Sequence, residues 1–291
     1  MGKKLFNTRI GLAVGGGAAK GIAHVGVLKA LEDQKVNIRY IAGTSVGAII
    51  SALYAFNVSV EDIGALAKRL TMSKVTSFKL SRTGFFSTES LRALIVEYIG
   101  EVNIEDAEIP LSIVSTDIKN GQEVILTAGS VADAVCASAA IPGIYIPVEI
   151  NDRSLVDGGL VQNVPIEAVQ AMGAGVTIAS HLNSASQYSE ISHVLDVMRN
   201  AFEIAVSHYT EDQLKNADVV ISMDVSDFSL RDNTERYDEL FSIGYDTATK
   251  QLSKLVWYKK ENVLLYPWRA AKEIAPFKIP EALKRAKIKV D

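Results

Sequence analysis

Ile38-Arg39-Tyr40-Ile41-Ala42-Gly43-Thr44-Ser45-Val46-Gly47-Ala48-Ile49-Ile50-Ser51-Ala52-Leu53-Tyr54-Ala55-Phe56 is the stretch on which the reading of this chain turns. Ile38 to Ala42 has the β-branched and aromatic make-up of a strand, and an apolar helix follows to Phe56. Between them stands a full G-x-S-x-G. In a strand-turn-helix setting that pattern forces its serine into a strained backbone conformation, and small residues two before and two after it, here Gly43 and Gly47, avoid clashes across the turn. Ser45 Oγ is then expected to project from the top of a sheet, beside a helix N-terminus that favours negative charge. The plainer alternative is a serine that only caps its helix.

Outward from this unit the chain keeps alternating short β-branched runs with helical stretches, the pattern of an α/β protein. Ile10 to Val14 reads as the first strand and Gly21 to Gln34 as the helix after it, with Ile22, Val25, Leu28 and Leu31 at helical spacing. Ser59, Glu61 and Asp62 open a further helix, and Thr88 to Ile99 repeats that pattern. Asn120-Gly121, between Leu111 to Lys119 and Glu123 to Thr127, predicts one antiparallel hairpin attached to the sheet. A helix is read at Val131 to Ala139, a strand at Arg153 to Val156, a helix from Pro165 to Met172 and a strand at Gly175 to Ser180. A helix at Ser189 to Lys215, a strand at Ala217 to Met223 and a helix from Glu235 to about Lys254 complete the body. The expected fold is three-layer α/β/α with a mainly parallel central sheet. No repeat or linker interrupts it before about residue 255, which divides a catalytic domain, 1–255, from a C-terminal segment, 256–291.

Composition narrows the partners. With 48% hydrophobic and 22% charged residues in 291, disorder and coiled coil are excluded. The most apolar stretch, Ile41 to Phe56, is broken by Gly43, Thr44, Ser45, Gly47 and Ser51, so no membrane span is expected. The start, MGKKLFNTRIGLAVGGG, has too few apolar residues before its glycines for a signal peptide, and Phe6 fails the myristoylation pattern. One cysteine, Cys136, forms no intramolecular disulfide and no cysteine-cage zinc site. A cytoplasmic location is expected. A net charge of -4 argues against nucleic acid, but it is uneven: from Lys254 onward ten Lys or Arg face four Asp or Glu, +6, which leaves -10 for the rest.

Two more strand-end turns carry residues that structure alone would not choose. Gly15-Gly16-Gly17-Ala18-Ala19-Lys20-Gly21 follows the first strand, and its glycines, with the positive end of the next helix, suit an anion. It fits neither a dinucleotide fingerprint nor a Walker loop, since Lys20 precedes Gly21 and Ile22 follows. Asp157-Gly158-Gly159 ends a strand with a carboxylate that neighbouring backbone could shield from water. A serine nucleophile needs a base. His181 gives the chain order Ser, Asp, His of a triad, whereas His24, His193 and His208 read as packed or solvated. No pair of histidines has zinc spacing. Without a histidine, a partly buried carboxylate would take the serine proton itself.

The three turns together resemble the patatin-like phospholipases. That family has a glycine-rich oxyanion loop, a G-x-S-x-G elbow and a D-G-G or D-G-A box, matched here by Gly15 to Gly21, Gly43 to Gly47 and Asp157 to Gly159. Ala23-His24-Val25-Gly26-Val27-Leu28, Ala137-Ser138-Ala139-Ala140-Ile141-Pro142-Gly143 and Asn163-Val164-Pro165 extend the match, which covers residues 9 to 181. The resemblance implies a cofactor-free serine esterase that cleaves phospholipid or other lipid esters with a Ser45-Asp157 dyad. Backbone N–H groups of Gly15, Gly16, Gly17 and Ala18 would form the oxyanion hole, supported by Lys20, Gly43, Gly47 and Gly158. Ala18 stands where a fourth glycine is frequent and Lys20 where arginine is usual. Two other readings are a nucleotide- or phosphate-binding α/β protein, using the glycine loop for phosphate, and a non-catalytic lipid-binding relative. Residues 256–291, with Trp257, Tyr258, Tyr266, Trp268 and Phe277 among their cations, suit either peripheral contact with an anionic membrane or a packed extension.

Overall fold

Alternation along the strands decides where the core sits. In β1 (Ile10–Val14), Leu12 and Val14 face one side of the sheet and Ala13 the other; in β2 (Ile38–Thr44), Ile41 and Ala42 divide in the same way. The large residues meet α1 (Ile22–Asp33), α2 (Val46–Ala55) and the helix Tyr237–Lys260, and the alanines meet Ile166–Ala171 and Leu214 of the helix Val194–Leu214. This computed structural model therefore has helices on both faces of one sheet, the three-layer α/β/α arrangement. It describes residues 9–69, 77–78, 81, 83–183, 190–228 and 235–260.

Five strands run parallel in the order β10 (Val219–Asp224), β9 (Val176–Asn183), β1, β2 and β5 (Leu111–Asp117). The short β3 (Ser77–Phe78) and β4 (Phe86–Ser87) form a separate antiparallel pair. The Asn120-Gly121 hairpin is present, pairing β6 (Gln122–Leu126) with β5, with Gly121 at φ 71°. A second hairpin escapes the sequence reading: β7 (Val148–Ile150) turns through Asn151 and Asp152, both at positive φ, into β8 (Arg153–Asp157). The strand that bears Asp157 is therefore antiparallel to β5, where simple alternation would make it parallel.

Residues 111–114 of β5 pair with β2 and residues 115–117 with β8, while β6 occupies the opposite edge over 113–117. A strand has two edges, so β2 and β8 lie end to end along one of them. Thr44, the last residue of β2, faces Val114, and Asp157, the last of β8, faces Ser115.

The helix Tyr237–Lys260 runs through the boundary expected at residue 255, and 261–291 lie outside the described residues. It meets α1 backbone to backbone: a Cβ on Gly244 would fall 1.8 Å from the Ala23 carbonyl oxygen, and one on Gly26 2.1 Å from that of Phe241. No helix among the described residues is long and apolar enough to cross a membrane.

Candidate active site

Ser45 joins β2 to α2 at φ 56° and ψ -124°, a conformation that L residues rarely adopt. Three contacts hold it there. Its amide donates to Ser138 Oγ at 2.9 Å, and its carbonyl accepts from Ala48 and Ile49 as α2 begins. The flanking glycines leave no choice of residue: a Cβ on Gly43 would fall 2.3 Å from the Gly47 oxygen, and one on Gly47 2.2 Å from the Val14 oxygen. The side chain of Ser45 is half-buried at the C-terminal edge of the sheet.

Asp157 arrives from the opposite direction and is 1% exposed. Its amide donates to the Ala140 carbonyl at 2.9 Å, its own carbonyl accepts from Thr116 Oγ1 at 2.9 Å, and Oδ1 accepts from the Gly159 amide at 2.8 Å. Gly158 permits this approach, since a Cβ there would fall 2.2 Å from the Val114 oxygen. Burial pushes the carboxyl up to about 7, against the Gly159 amide and the Ser45 side chain, which both favour its charged form. Oδ2 has no hydrogen bond of full geometry. Ser45 thus stands near enough to be felt without a closed hydrogen bond, a common state of catalytic pairs in unliganded sites.

The glycine loop lies against Ser45: a Cβ on Gly16 would be 3.3 Å from that of Ser45. Here the sequence expectation is corrected in part. The amide of Gly15 donates to the Ser180 carbonyl at 3.0 Å and that of Gly16 to the Asn163 carbonyl at 3.1 Å, so both N–H groups are engaged in holding the loop. Among the described residues, the amides of Gly17 and Ala18 donate to no backbone carbonyl. Gly17 at φ 149° and Ala18 at φ 51° turn these two peptides away from the β1 ladder. The positive φ places Ala18 in the region that favours glycine. The charge of Lys20 is felt by Glu203 and Asp224.

Neither histidine candidate touches the pair. His181 lies on β9, two strands from β2, and burial drives its pKa down to about 4. His24 bonds to Ser180 Oγ at 2.7 Å through Nδ1 and is held at about 3 chiefly by burial. His193 and His208 are exposed. Among the described residues no group of three or more His, Cys, Asp or Glu could hold a metal ion.

Sequence reasoning missed the polar residues that tie the site together. Ser138 anchors the elbow. The helix Val194–Leu214, in a region without a recognised motif, holds the turn that follows Asp157: Tyr209 donates to the Gly159 carbonyl, Gln213 Nε2 donates to the Val161 carbonyl at 2.8 Å, Gln213 Oε1 accepts from the Asn163 amide at 3.2 Å, and Asn163 Nδ2 donates to Thr210 Oγ1 at 3.2 Å. Tyr209, Thr210 and Gln213 share a helix face at spacings of one, three and four, a signal no different from ordinary amphipathicity.

The family model described as patatin-like phospholipase matches residues 12–169, which contain all three turns. An uncharacterised NTE family protein of Mycobacterium bovis is 34% identical over 178 residues, 60% of this chain and 49% of that protein. Lysophospholipase NTE1 of Yarrowia lipolytica is 31% identical over 186 residues, 62% of this chain and 13% of that protein. The chain thus spans about half the length of the first relative and far less of the second. Among solved structures, VipD from Legionella pneumophila aligns with a TM-score of 0.58 at 13% identity, covering 85% of this chain and 67% of that one. ExoU of Pseudomonas aeruginosa, in its complex with SpcU, aligns with a TM-score of 0.53 at 16% identity, covering 85% and 52%. At such identities the likeness is one of fold. Because the matched residues make up more than half of the chain and contain both Ser45 and Asp157, this protein belongs to the patatin-like phospholipase family.

Proposed function

We propose that the protein hydrolyses acyl esters of lipids, in a phospholipase A or lysophospholipase type of reaction, with Ser45 as nucleophile and Asp157 as its base. The observation that carries this reading is the end-to-end placement of β2 and β8 on β5, which brings a strained serine to a buried carboxylate with no histidine between them. Ser45 Oγ attacks the ester carbonyl as Asp157 takes its proton, and the amides of Gly17 and Ala18 stabilise the oxyanion. Protonated Asp157 then gives that proton to the departing alkoxide. A water deprotonated by Asp157 attacks the acyl-Ser45 ester, and the acid leaves with the serine regenerated.

Fluorophosphonate labelling tests this directly. The label is expected on Ser45 and is expected to disappear in Ser45→Ala; a label on another residue, or ester turnover that survives Ser45→Ala, overturns the assignment.

Two amides that donate to no backbone carbonyl among the described residues suit one oxyanion oxygen better than the several oxygens of a nucleotide phosphate, which favours hydrolysis over the phosphate-binding reading. A non-catalytic lipid binder would show no burst of product. A lipid substrate also motivates contact with anionic bilayers through 256–291, where nine Lys or Arg face four Asp or Glu, +5, among interspersed rings, and the single cysteine suits a cytoplasmic protein. Charge reversal at Lys284, Arg285, Lys287 and Lys289 is then expected to weaken sedimentation with anionic vesicles and leave neutral vesicles unaffected; unchanged anionic binding refutes that part.

A further inference from the structure

The helix Val194–Leu214 joins β9 to β10, which run parallel, so it travels back against them, and its first turns stand at the C-terminal edge of the sheet, where Ser45 and Asp157 lie. Three faces can be told apart on those turns. Leu195, Met198, Phe202 and Val206 face inward: Leu195 packs against Ala140, Ile144 and Tyr145, a Cβ on Gly143 would fall 1.8 Å from Met198 Cε, and one on Gly159 would fall 3.2 Å from Phe202 and 3.4 Å from Val206. Asp196, Arg199 and Glu203 share a second face at helical spacing and are half-buried, the first two paired at 3.2 Å. Val194, Val197, Ala201 and Ile204 share the third, and no described residue covers it.

This third face is apolar where a surface helix is ordinarily polar. Val194, Val197 and Ile204 are 62, 47 and 46% exposed, and Ile191, just ahead of the helix, is 68% exposed. These are four of the six large hydrophobic residues that stand exposed among the described ones, so the exposure is concentrated and not scattered. Phe85, a fifth, donates its amide to the Ile144 carbonyl at 3.0 Å and so borders the loop on which Leu195 rests. Charge is missing from the face as well. The residues before Lys254 carry -10, the overall -4 less the +6 beyond, yet from 191 to 208 no exposed residue is Asp, Glu, Lys or Arg.

We propose that the outer face of this helix, with Ile191, docks on a lipid bilayer and seats the mouth of the site on the membrane that holds its substrate. Two observations select a bilayer as the occupant. An acidic chain that keeps its acids off one apolar face makes that face complementary to a zwitterionic or anionic leaflet, where a desolvated carboxylate would be costly. The face also adjoins the acid box: Met198, Phe202 and Val206 lie over Gly143 and Gly159, so lipid against the outer face is about one helix diameter, roughly 10 Å, from the turn that carries Asp157. Docking here works by burying aliphatic side chains, which separates it from the charge of the C-terminal cations. The inference rests on the reading of the site as a lipid hydrolase. Sedimentation of Ser45→Ala reads docking without turnover, so the two can fail separately.

The full chain is sedimented with phosphatidylcholine vesicles at about 0.5 M salt, where attraction through exposed cations is screened. The parent protein and Ser45→Ala are expected to bind alike. The triple variant Val194→Glu, Val197→Glu, Ile204→Glu is expected to bind about tenfold more weakly or worse, because three aliphatic side chains are replaced by charges. Hydrolysis of vesicle phospholipid should fall by the same factor, while kcat/KM for a soluble short-chain ester stays within about twofold, since none of the three residues touches the site. If the triple variant does not fold, Val197→Cys carrying an environment-sensitive fluorophore gives the second reading, Cys136 being buried. Its emission should report water before vesicles are added and an apolar surrounding afterwards. A parent that ignores phosphatidylcholine vesicles, or a folded triple variant that binds them as the parent does, overturns the proposal. So does a fluorophore already shielded without vesicles, which would mean that 261–291 or, if the mass in solution is doubled, a second copy covers the face.

Discussion

Ser138 accepts the amide hydrogen of Ser45 at 2.9 Å and donates its own to the Val114 carbonyl at 2.6 Å, so the backbone of Ser45 is tied to β5 through a fully buried side chain. Val114 is also the β5 residue opposite Thr44. One strand residue thus fixes both the end of β2 and the height of the elbow above it. The bond also engages Ser45's own amide, so in the proposed reaction the oxyanion would fall to the glycine loop.

Ser138→Ala leaves that amide without its partner, a loss of about 1–3 kcal/mol for a buried group. Melting is expected to drop by on the order of 5 °C. The kcat for a soluble ester is expected to fall about tenfold or more as the φ 56° turn relaxes. Lowered melting with unchanged kcat would confine Ser138 to the fold.

Ser45→Ala and Asp157→Asn should each remove ester hydrolysis, and the double variant should be no worse than either single one because the pair acts as a unit. With the Asp157 carboxylate as the proposed base, kcat/KM is expected to rise with a slope of one up to pH about 7 and level off above it. Stability runs the other way. The folded pKa lies above the unfolded one, so the folded state binds this proton more tightly; that stabilisation is fully present below about pH 4 and is lost as pH rises through about 7. Asp157→Asn should therefore melt higher than the parent above pH 7, by an amount on the order of a few kcal/mol, and the difference should shrink in acid. A melting difference independent of pH would contradict the buried, raised carboxyl.

His181→Ala separates dyad from triad. The ring is buried on β9 away from Ser45 and Asp157, so its loss should cost stability by leaving a cavity while kcat stays within about threefold. A triad would lose several orders of magnitude. Such a collapse in a well-folded variant would end the dyad assignment.

Ala18 sits at φ 51°, where a side chain costs roughly 1–2 kcal/mol. Ala18→Gly relieves that strain but loosens the unfolded chain by about 0.4–1 kcal/mol, so the net gain should be small, at most a few degrees in melting. Activity should be kept or modestly raised. Ala18→Val, β-branched at positive φ, should flip the peptide and lower kcat about tenfold or more, because the Ala18 amide would leave the oxyanion position. Unchanged kcat in Ala18→Val would remove the Ala18 amide from the hole.

The difference between what the sequence discloses and what it conceals follows from range. Gly43, Ser45 and Gly47 are legible because a sharp turn acts within five residues and tolerates almost no other choice. Asn120-Gly121 announces its hairpin for the same reason, whereas Asn151-Asp152 makes a similar turn without glycine and hides β7. The engagement of Gly15 and Gly16 cannot be read locally, since their acceptors at Ser180 and Asn163 lie more than a hundred residues away and are backbone carbonyls, which leave no mark in a sequence. The meeting of Ser45 with Asp157 is legible as a motif pair, but its cause, two strands sharing one edge of β5, is a matter of register.

Gln213 offers the sharpest test of that long-range dependence, because it lies outside the family-matched residues and touches no catalytic group. Its amide donates to the Val161 carbonyl and accepts from the Asn163 amide, bridging the turn as a neighbouring strand would. Asn163 is the residue whose carbonyl holds Gly16. Loss of Gln213 should therefore travel through one residue to the oxyanion loop, while Asp157, fixed by Thr116, Ala140 and Gly159, should stay in place. The expected signature of Gln213→Ala is a fall in kcat of about 3- to 10-fold, well below that of deleting an oxyanion donor, with an unshifted pH midpoint near 7. Gln213→Glu keeps the acceptor for Asn163 and loses the donor to Val161, so it should keep more activity than alanine. If the pH midpoint moves together with kcat, the helix acts on the acid and not on the loop; if neither changes, the clamp serves only the fold.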